Sequence, residues 1–288
     1  MDKVAAQSYI FAKASGNIGK SFVGSRAYLL FEQKNISDLW VLLFKSKPPL
    51  LPDSLLAKEL ETEAFNRFIN QYKYFISLYD KPVDILVSQL EICEAENIQS
   101  PEPDVKIEFI KKIWKSLPNE LSDSNTSLNN LYKEEFILKN ITWALRLKIF
   151  YKMKKEDIIP KLMYVSQNPD ADDPLAGPAI SILNYPINNY NAWKKWKYKK
   201  YLNPVIDEKK WQVDPSWIEN SVKLRIHKMA NNLFHQYPNT TASLIAWFLI
   251  KNYELSCIKT AVESLRLNIN SEEAMSAAGL LETGVVNG

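Results

Sequence analysis

Glycine is nearly missing from this chain, with 7 residues in 288 where an average protein carries about 7%. Folds built on tight hairpins or phosphate-cradling loops need glycine at positive φ, so the shortage argues for helices. Cysteine and histidine are as sparse, at two each. Cys93 and Cys257 are remote from each other in sequence, which gives no disulfide framework and makes a reducing compartment the expectation. Tetrahedral zinc wants four clustered ligands at short spacings, and no such cluster is present. A hydrolytic triad would have to recruit His227 or His235, which lie eight residues apart on one predicted helix, and no serine carries the glycines of a nucleophile elbow. No catalytic residue, cofactor site or metal site is therefore expected. An excess of one charge is lacking too: 36 Lys+Arg against 33 Asp+Glu leave +3, too little for a nucleic-acid footprint over the whole protein. The longest nearly unbroken apolar run, Ala242 to Ile250, closes at Lys251 and is under half of the ~20 residues a membrane helix needs. Met1-Asp2-Lys3-Val4 leads into no apolar run of signal-peptide length. The expectation is a folded chain that does not cross a membrane.

What is present is a globular balance, 46% apolar and 24% charged, with helical spacing of apolar residues and little sustained alternation. The fold class read from it is all-α. Pro48, Pro49 and Pro52 interrupt the first block after the apolar run Leu39 to Phe44, and a helix is predicted from Asp53 or Ser54, either of which would cap it. Pro82 opens a helix through Asn97 with Val83, Leu86, Val87, Leu90, Cys93 and Ile98 as its apolar stripe, ended by Ser100-Pro101-Glu102-Pro103. Leu117 to Asn130 reads as a linker, and Leu128 to Met153 as the clearest helix. Ser166 to Pro178 has loop composition, and Asn184 to Pro215 has no clean period. Helices are predicted again at Pro215 to Gln236 and from Thr240 to about Asn268, separated by the turn Tyr237-Pro238-Asn239, with a frayed tail from Gly279 to Gly288.

Two motifs stand out. Ala14-Ser15-Gly16-Asn17-Ile18-Gly19-Lys20-Ser21 ends like a P-loop but has Ala14 where the first glycine belongs, with no βαβ rhythm around it. It reads as a helix start or turn. Trp193-Lys194-Lys195-Trp196-Lys197-Tyr198-Lys199-Lys200-Tyr201 interleaves five lysines with four aromatics. Either the rings face a core while the lysine stems snorkel, or the stretch is an interface for an acidic partner or lipid headgroups. As an alternative function, a helical nucleic-acid-binding or scaffold protein would use the same nine residues to hold phosphates and stack bases.

Three stretches also look like degenerate copies of one helix: Glu94 to Ile98, Lys139 to Leu147, and Glu254 to Ala261 followed by Leu265-Arg266-Leu267. The second and third share Ile-x-x-Ala and Leu-Arg-Leu, and repeated units each burying one face imply a stacked or pseudo-symmetric array.

On these residues the chain resembles the C subunit of V/A-type rotary ATPases, a family similar to the eukaryotic d subunit. Tyr9-Ile10-Phe11-Ala12-Lys13-Ala14 resembles the family's opening Tyr-x-Asn-Ala-Arg segment, with Ile36-Ser37-Asp38-Leu39-Trp40 in place of its next short helix. Glu94 to Ile98 matches its acidic-x-x-Asn-Leu/Ile pattern. Ala242 to Glu254, followed by Ile258 and Leu265-Arg266-Leu267, resembles its Ala-Tyr-Val/Leu-x-x-Arg/Lys-Glu-x-Glu segment. The resemblance implies an all-helical funnel or socket without catalysis or cofactor. It further implies a central-stalk coupling part that links the rotor shaft to the membrane proteolipid ring on the cytoplasmic face, a monomer within the complex that binds no nucleic acid. The copies centre on residues 97, 140 and 257, so the middle unit is shortened, giving units 1–117, 118–183 and 184–288. The basic aromatic stretch has no counterpart in the family pattern.

Overall fold

A computed structural model describes residues 2–97, 103–116, 125–166, 172–207 and 210–280. Among them are thirteen α-helices, three short 3-10 turns and no strand, so the all-α reading stands. The chain divides into two compact units, Met1–Leu86 with His227–Gly288, and Val87–Ile226.

The first unit is organised by α12 (Thr241–Leu267), against which pack α1 (Lys3–Ile18), α2 (Tyr28–Phe31), α3 (Ile36–Phe44), α4 (Asp53–Ser77) and α13 (Ser271–Ala277). Ten consecutive residues of α12, Thr241 to Ile250, are buried, so the first part of this helix is covered on every side rather than striped. The apolar run that is too short for a bilayer is thus a core. Phe68, Tyr72 and Phe75 of α4 meet Trp247 and Phe248 of α12, with Tyr72 and Phe248 centroids 4.6 Å apart and Phe75 edge-on to Trp247 at 5.0 Å. Thr240 caps α12 through its hydroxyl, 3.4 Å from the Ser243 amide, and Asn268 closes it in the left-handed conformation that asparagine tolerates. The predicted cap of α4 differs: the N-cap is Pro52, without a side-chain bond, and Asp53 lies inside the first turn, where its charge complements the helix dipole.

The second unit is organised by α7 (Asn125–Ile149), packed against α6 (Pro103–Ser116), α8 (Lys155–Ile158) and α9 (Gly177–Ile182). α10 (Tyr190–Trp193) follows α9 in the chain. α5 (Asp84–Asn97) and α11 (Pro215–Gln236) each contain a boundary between the two units. α11 has the predicted bounds, with Pro215 at the first position and the Asp214 carboxylate accepting from the Ser216 amide at 2.8 Å. On α5 the buried positions include Ser88 and Gln89, while Val87 and Leu90 are only partly covered. The helix is rotated from the predicted stripe, with Gln89 bonded to the buried Tyr132 hydroxyl. α7 starts at Asn125, inside the predicted linker, and stops at Ile149, where Lys152 turns left-handed and the Met153 amide closes on the Leu147 carbonyl. The rest of that linker (117–124), the helix end at 98–102, loop residues 167–171 and tail residues 281–288 lie outside the described residues.

Candidate functional site

The stretch from Trp193 to Tyr201 runs from the end of α10 through turns into a 3-10 segment, Lys199–Tyr201. All four aromatics are buried: Trp193 at 0% exposure, Trp196 at 5%, Tyr198 at 7% and Tyr201 at 3%. They stack edge to face, Trp193 on Trp196 at 5.3 Å and Trp196 on Tyr198 at 5.7 Å, and the Trp193 indole donates to the Pro186 carbonyl at 2.8 Å. The five lysines are exposed. Of the readings left open by the sequence, the structure has the rings in the core and the ammonium groups in water. The rings are consequently unavailable as a platform for bases.

The lysines are not equivalent. Lys200 bonds Glu134 at 3.0 Å, and the Tyr201 hydroxyl donates to the same carboxylate oxygen. Burial pushes the Glu134 carboxyl up, but the Tyr201 and Lys200 hydrogen bonds, with the charges of Lys200 and Arg225, bring it below the usual range. Burial and the facing carboxylate raise the Tyr201 phenol, so the proton stays on Tyr201. Lys194, Lys195, Lys197 and Lys199 have no counter-ion among the described residues. Lys194 and Lys197 lie over the Tyr190 and Tyr198 rings at 5.9 and 5.4 Å. The strip is therefore four cations without a counter-ion among the described residues, set on a buried aromatic base.

Glu134, 66 residues from Lys200, is invisible to a local reading, as is Lys148, whose ammonium holds the Leu183 and Tyr185 carbonyls at 2.8 and 2.7 Å. Asn203 does similar work in the stretch without a period: its amide donates to the Gln212 carbonyl at 2.9 Å and its oxygen accepts from the Asp214 amide at 3.0 Å. A polar side chain saturating distant backbone is the device that replaces regular structure there.

The other sequence candidates separate. The P-loop look-alike is the C-terminal end of α1 and the turn that follows it at Gly19 and Lys20, not a helix start or a strand-to-helix loop, with Gly19 as an ordinary right-handed cap. His227 stacks on Tyr253 at 4.4 Å, while His235 is exposed and edge-on to Phe234. Cys93 and Cys257 are buried and in no disulfide. No group of three or more His, Cys, Asp or Glu among the described residues is placed to hold a metal ion, and no described helix is long and apolar enough to cross a membrane. The repeat-like copies fall on α5, α7 and α12, with Ile98 of the first outside the described residues. Ile141, Ala144, Ile258 and Ala261 are all buried, but Leu147 is at 4% exposure where Leu267 is at 60%.

An uncharacterized protein of Treponema pallidum (strain Nichols) is 23% identical to the chain, over 92% of this chain and 94% of its own length. No solved structure matches. The family model for the ATP synthase (C/AC39) subunit matches residues 29–277, which spans α3 to α13 and the basic aromatic stretch and leaves out α1. The chain belongs to this family, the C/d-type subunits of V/A-type ATPases, and is a non-catalytic subunit rather than an enzyme.

Proposed function

We propose that this subunit is the coupling part of the central stalk, receiving the rotor shaft and resting on the membrane proteolipid ring at its cytoplasmic face, so that rotation in the head moves ions through the ring. The observation that carries the reading is the family match across residues 29–277 of an all-helical chain. Torque transmission rewards stiffness, which long glycine-poor helices such as α4, α7 and α12 supply. The division into units 1–117, 118–183 and 184–288, the middle one shortened, belongs to the same proposal and is supported by the buried Ile-x-x-Ala pairs on α7 and α12.

Within it, Lys194, Lys195, Lys197 and Lys199 hold an acidic surface or lipid headgroups at the ring face. Fixed cations beside a negatively charged surface gain by long-range attraction that weakens with salt. The reading is tested by purifying the tagged full chain from gently solubilised membranes of its own cells. Head, shaft and ring subunits in fixed proportion are expected alongside it; recovery of none of them overturns the proposal.

A further inference from the structure

Lys20, the lysine of the P-loop look-alike, lines a cavity of about 250 Å³ in the first unit. Two further cations line it, Arg67 of α4 and Lys251 of α12, against a single lining carboxylate, Glu254. That carboxylate is already engaged: it is 5% exposed, accepts from the Phe22 amide at 2.6 Å, and pairs with Lys251. The Lys251 ammonium also donates to the Ser21 hydroxyl at 3.1 Å. Arg67 holds Glu63 through Nε alone, at 2.6 Å, which leaves its terminal donor fork unused by that pair. Its guanidinium carbon stands 4.5 Å from the Phe44 ring centre. Lys20 has no counter-ion among the described residues. Three lining cations thus face one lining carboxylate, and Glu63, outside the lining, offsets Arg67, which leaves one positive charge in surplus.

The apolar part of the lining includes Phe44, Phe68 and Trp247. Trp247 is fully buried, and its indole N–H has no acceptor among the described residues. One element opposes an anion, the C-terminal end of α1 with its carbonyl dipoles. Arg26 offsets it by donating to the Gly19 carbonyl at 2.6 Å.

We propose that this cavity binds a small phosphate monoester with an apolar body. A phosphate, with more charge and more acceptor oxygens than a carboxylate, suits the three lining cations, with Lys20 and the free Arg67 fork on the phosphate. The body lies against Phe44 and Phe68. The site belongs to the first unit and the lysine strip to the second, and the site does not depend on the coupling role.

The test titrates the full chain with phenyl phosphate at low salt, followed by calorimetry and by the Trp247 indole resonance, identified as the peak lost in Trp247→Phe. Saturable binding with movement of that resonance is expected. The Lys20→Ala/Arg67→Ala double variant should bind at least about tenfold more weakly with an unchanged far-UV spectrum. Benzoate should bind more weakly than phenyl phosphate, and benzyl alcohol, the uncharged analogue of the same body, should not saturate. Calorimetry keeps the test decisive if Trp247→Phe does not fold. Absence of saturable phenyl phosphate binding, equal affinity in the double variant, or equal binding of benzyl alcohol would each overturn the proposal.

Discussion

Asp173, at 3% exposure, takes hydrogen bonds from the amides of Val165, Ser166, Leu175 and Ala176 and from the Ser166 hydroxyl, all at 2.8 to 2.9 Å. Burial raises this carboxyl, and the Ser166, Ala176 and Leu175 bonds outweigh it and bring it below the ordinary range. Asp173→Ala strands several buried amides and should lower stability by about 3 kcal/mol, read by urea denaturation. His227 works in the opposite sense. Burial, with the nearby Lys228 charge, lowers it from 6.5 to about 4, so the folded chain keeps the ring neutral against Tyr253. The unfolded chain then binds the extra proton between pH 6.5 and 4, and stability falls as pH drops through that window by up to about 1.4 kcal/mol per unit. His227→Phe keeps a stacked ring and removes the titration, so its melting temperature should change less between pH 7 and 4.5 than that of the parent. Neither residue announces itself in sequence. Asp173 sits in a stretch that reads only as loop, and the burial of His227 comes from packing on α12 rather than from its own helix.

Helices were the legible level, because apolar spacing and caps are local. The bounds of α11 and the Thr240 cap of α12 follow from residues within one turn of each end. The sequence also marks the run 242–250 as apolar, but not what surrounds it, since the α4 rings that cover it lie about 180 residues earlier. That aromatic contact is the keystone of the first unit. Phe75, fully buried and edge-on to Trp247, should cost about 3 to 4 kcal/mol when replaced by alanine, through lost burial and the cavity left behind. Thermal denaturation checks it. The rotation of α5 was not legible because Ser88 and Gln89 look polar and are nevertheless buried, Gln89 by bonding Tyr132 from another helix.

At the scale of the whole molecule, residues 1–86 close with 227–288 into one compact unit while 87–226 form the other. A reading of contiguous segments does not reveal this closure, because it depends on pairings such as α1 with α12. The family was legible in Ile36–Trp40, Glu94–Ile98 and Ala242–Leu267, which all lie within the matched residues 29–277, whereas Tyr9–Ala14 lies before them. The basic aromatic stretch was legible as an anomaly but not as a surface, because only the three-dimensional packing sorts buried rings from exposed lysines. Replacing Lys194, Lys195, Lys197 and Lys199 together with glutamate should leave the fold intact, as all four are exposed. It should reduce recovery of ring subunits at low salt several-fold, with a smaller difference at high salt; unchanged recovery at low salt would exclude the strip from the ring contact.

The most direct test of the coupling role compares ATP hydrolysis with ATP-driven ion uptake in inverted membrane vesicles from cells with and without this subunit. Loss of uptake while the head still hydrolyses ATP is the outcome expected of a part that transmits torque without catalysis, and restoration by the full chain would complete it. Ion uptake that persists at the same rate per ATP hydrolysed in the subunit's absence would contradict it.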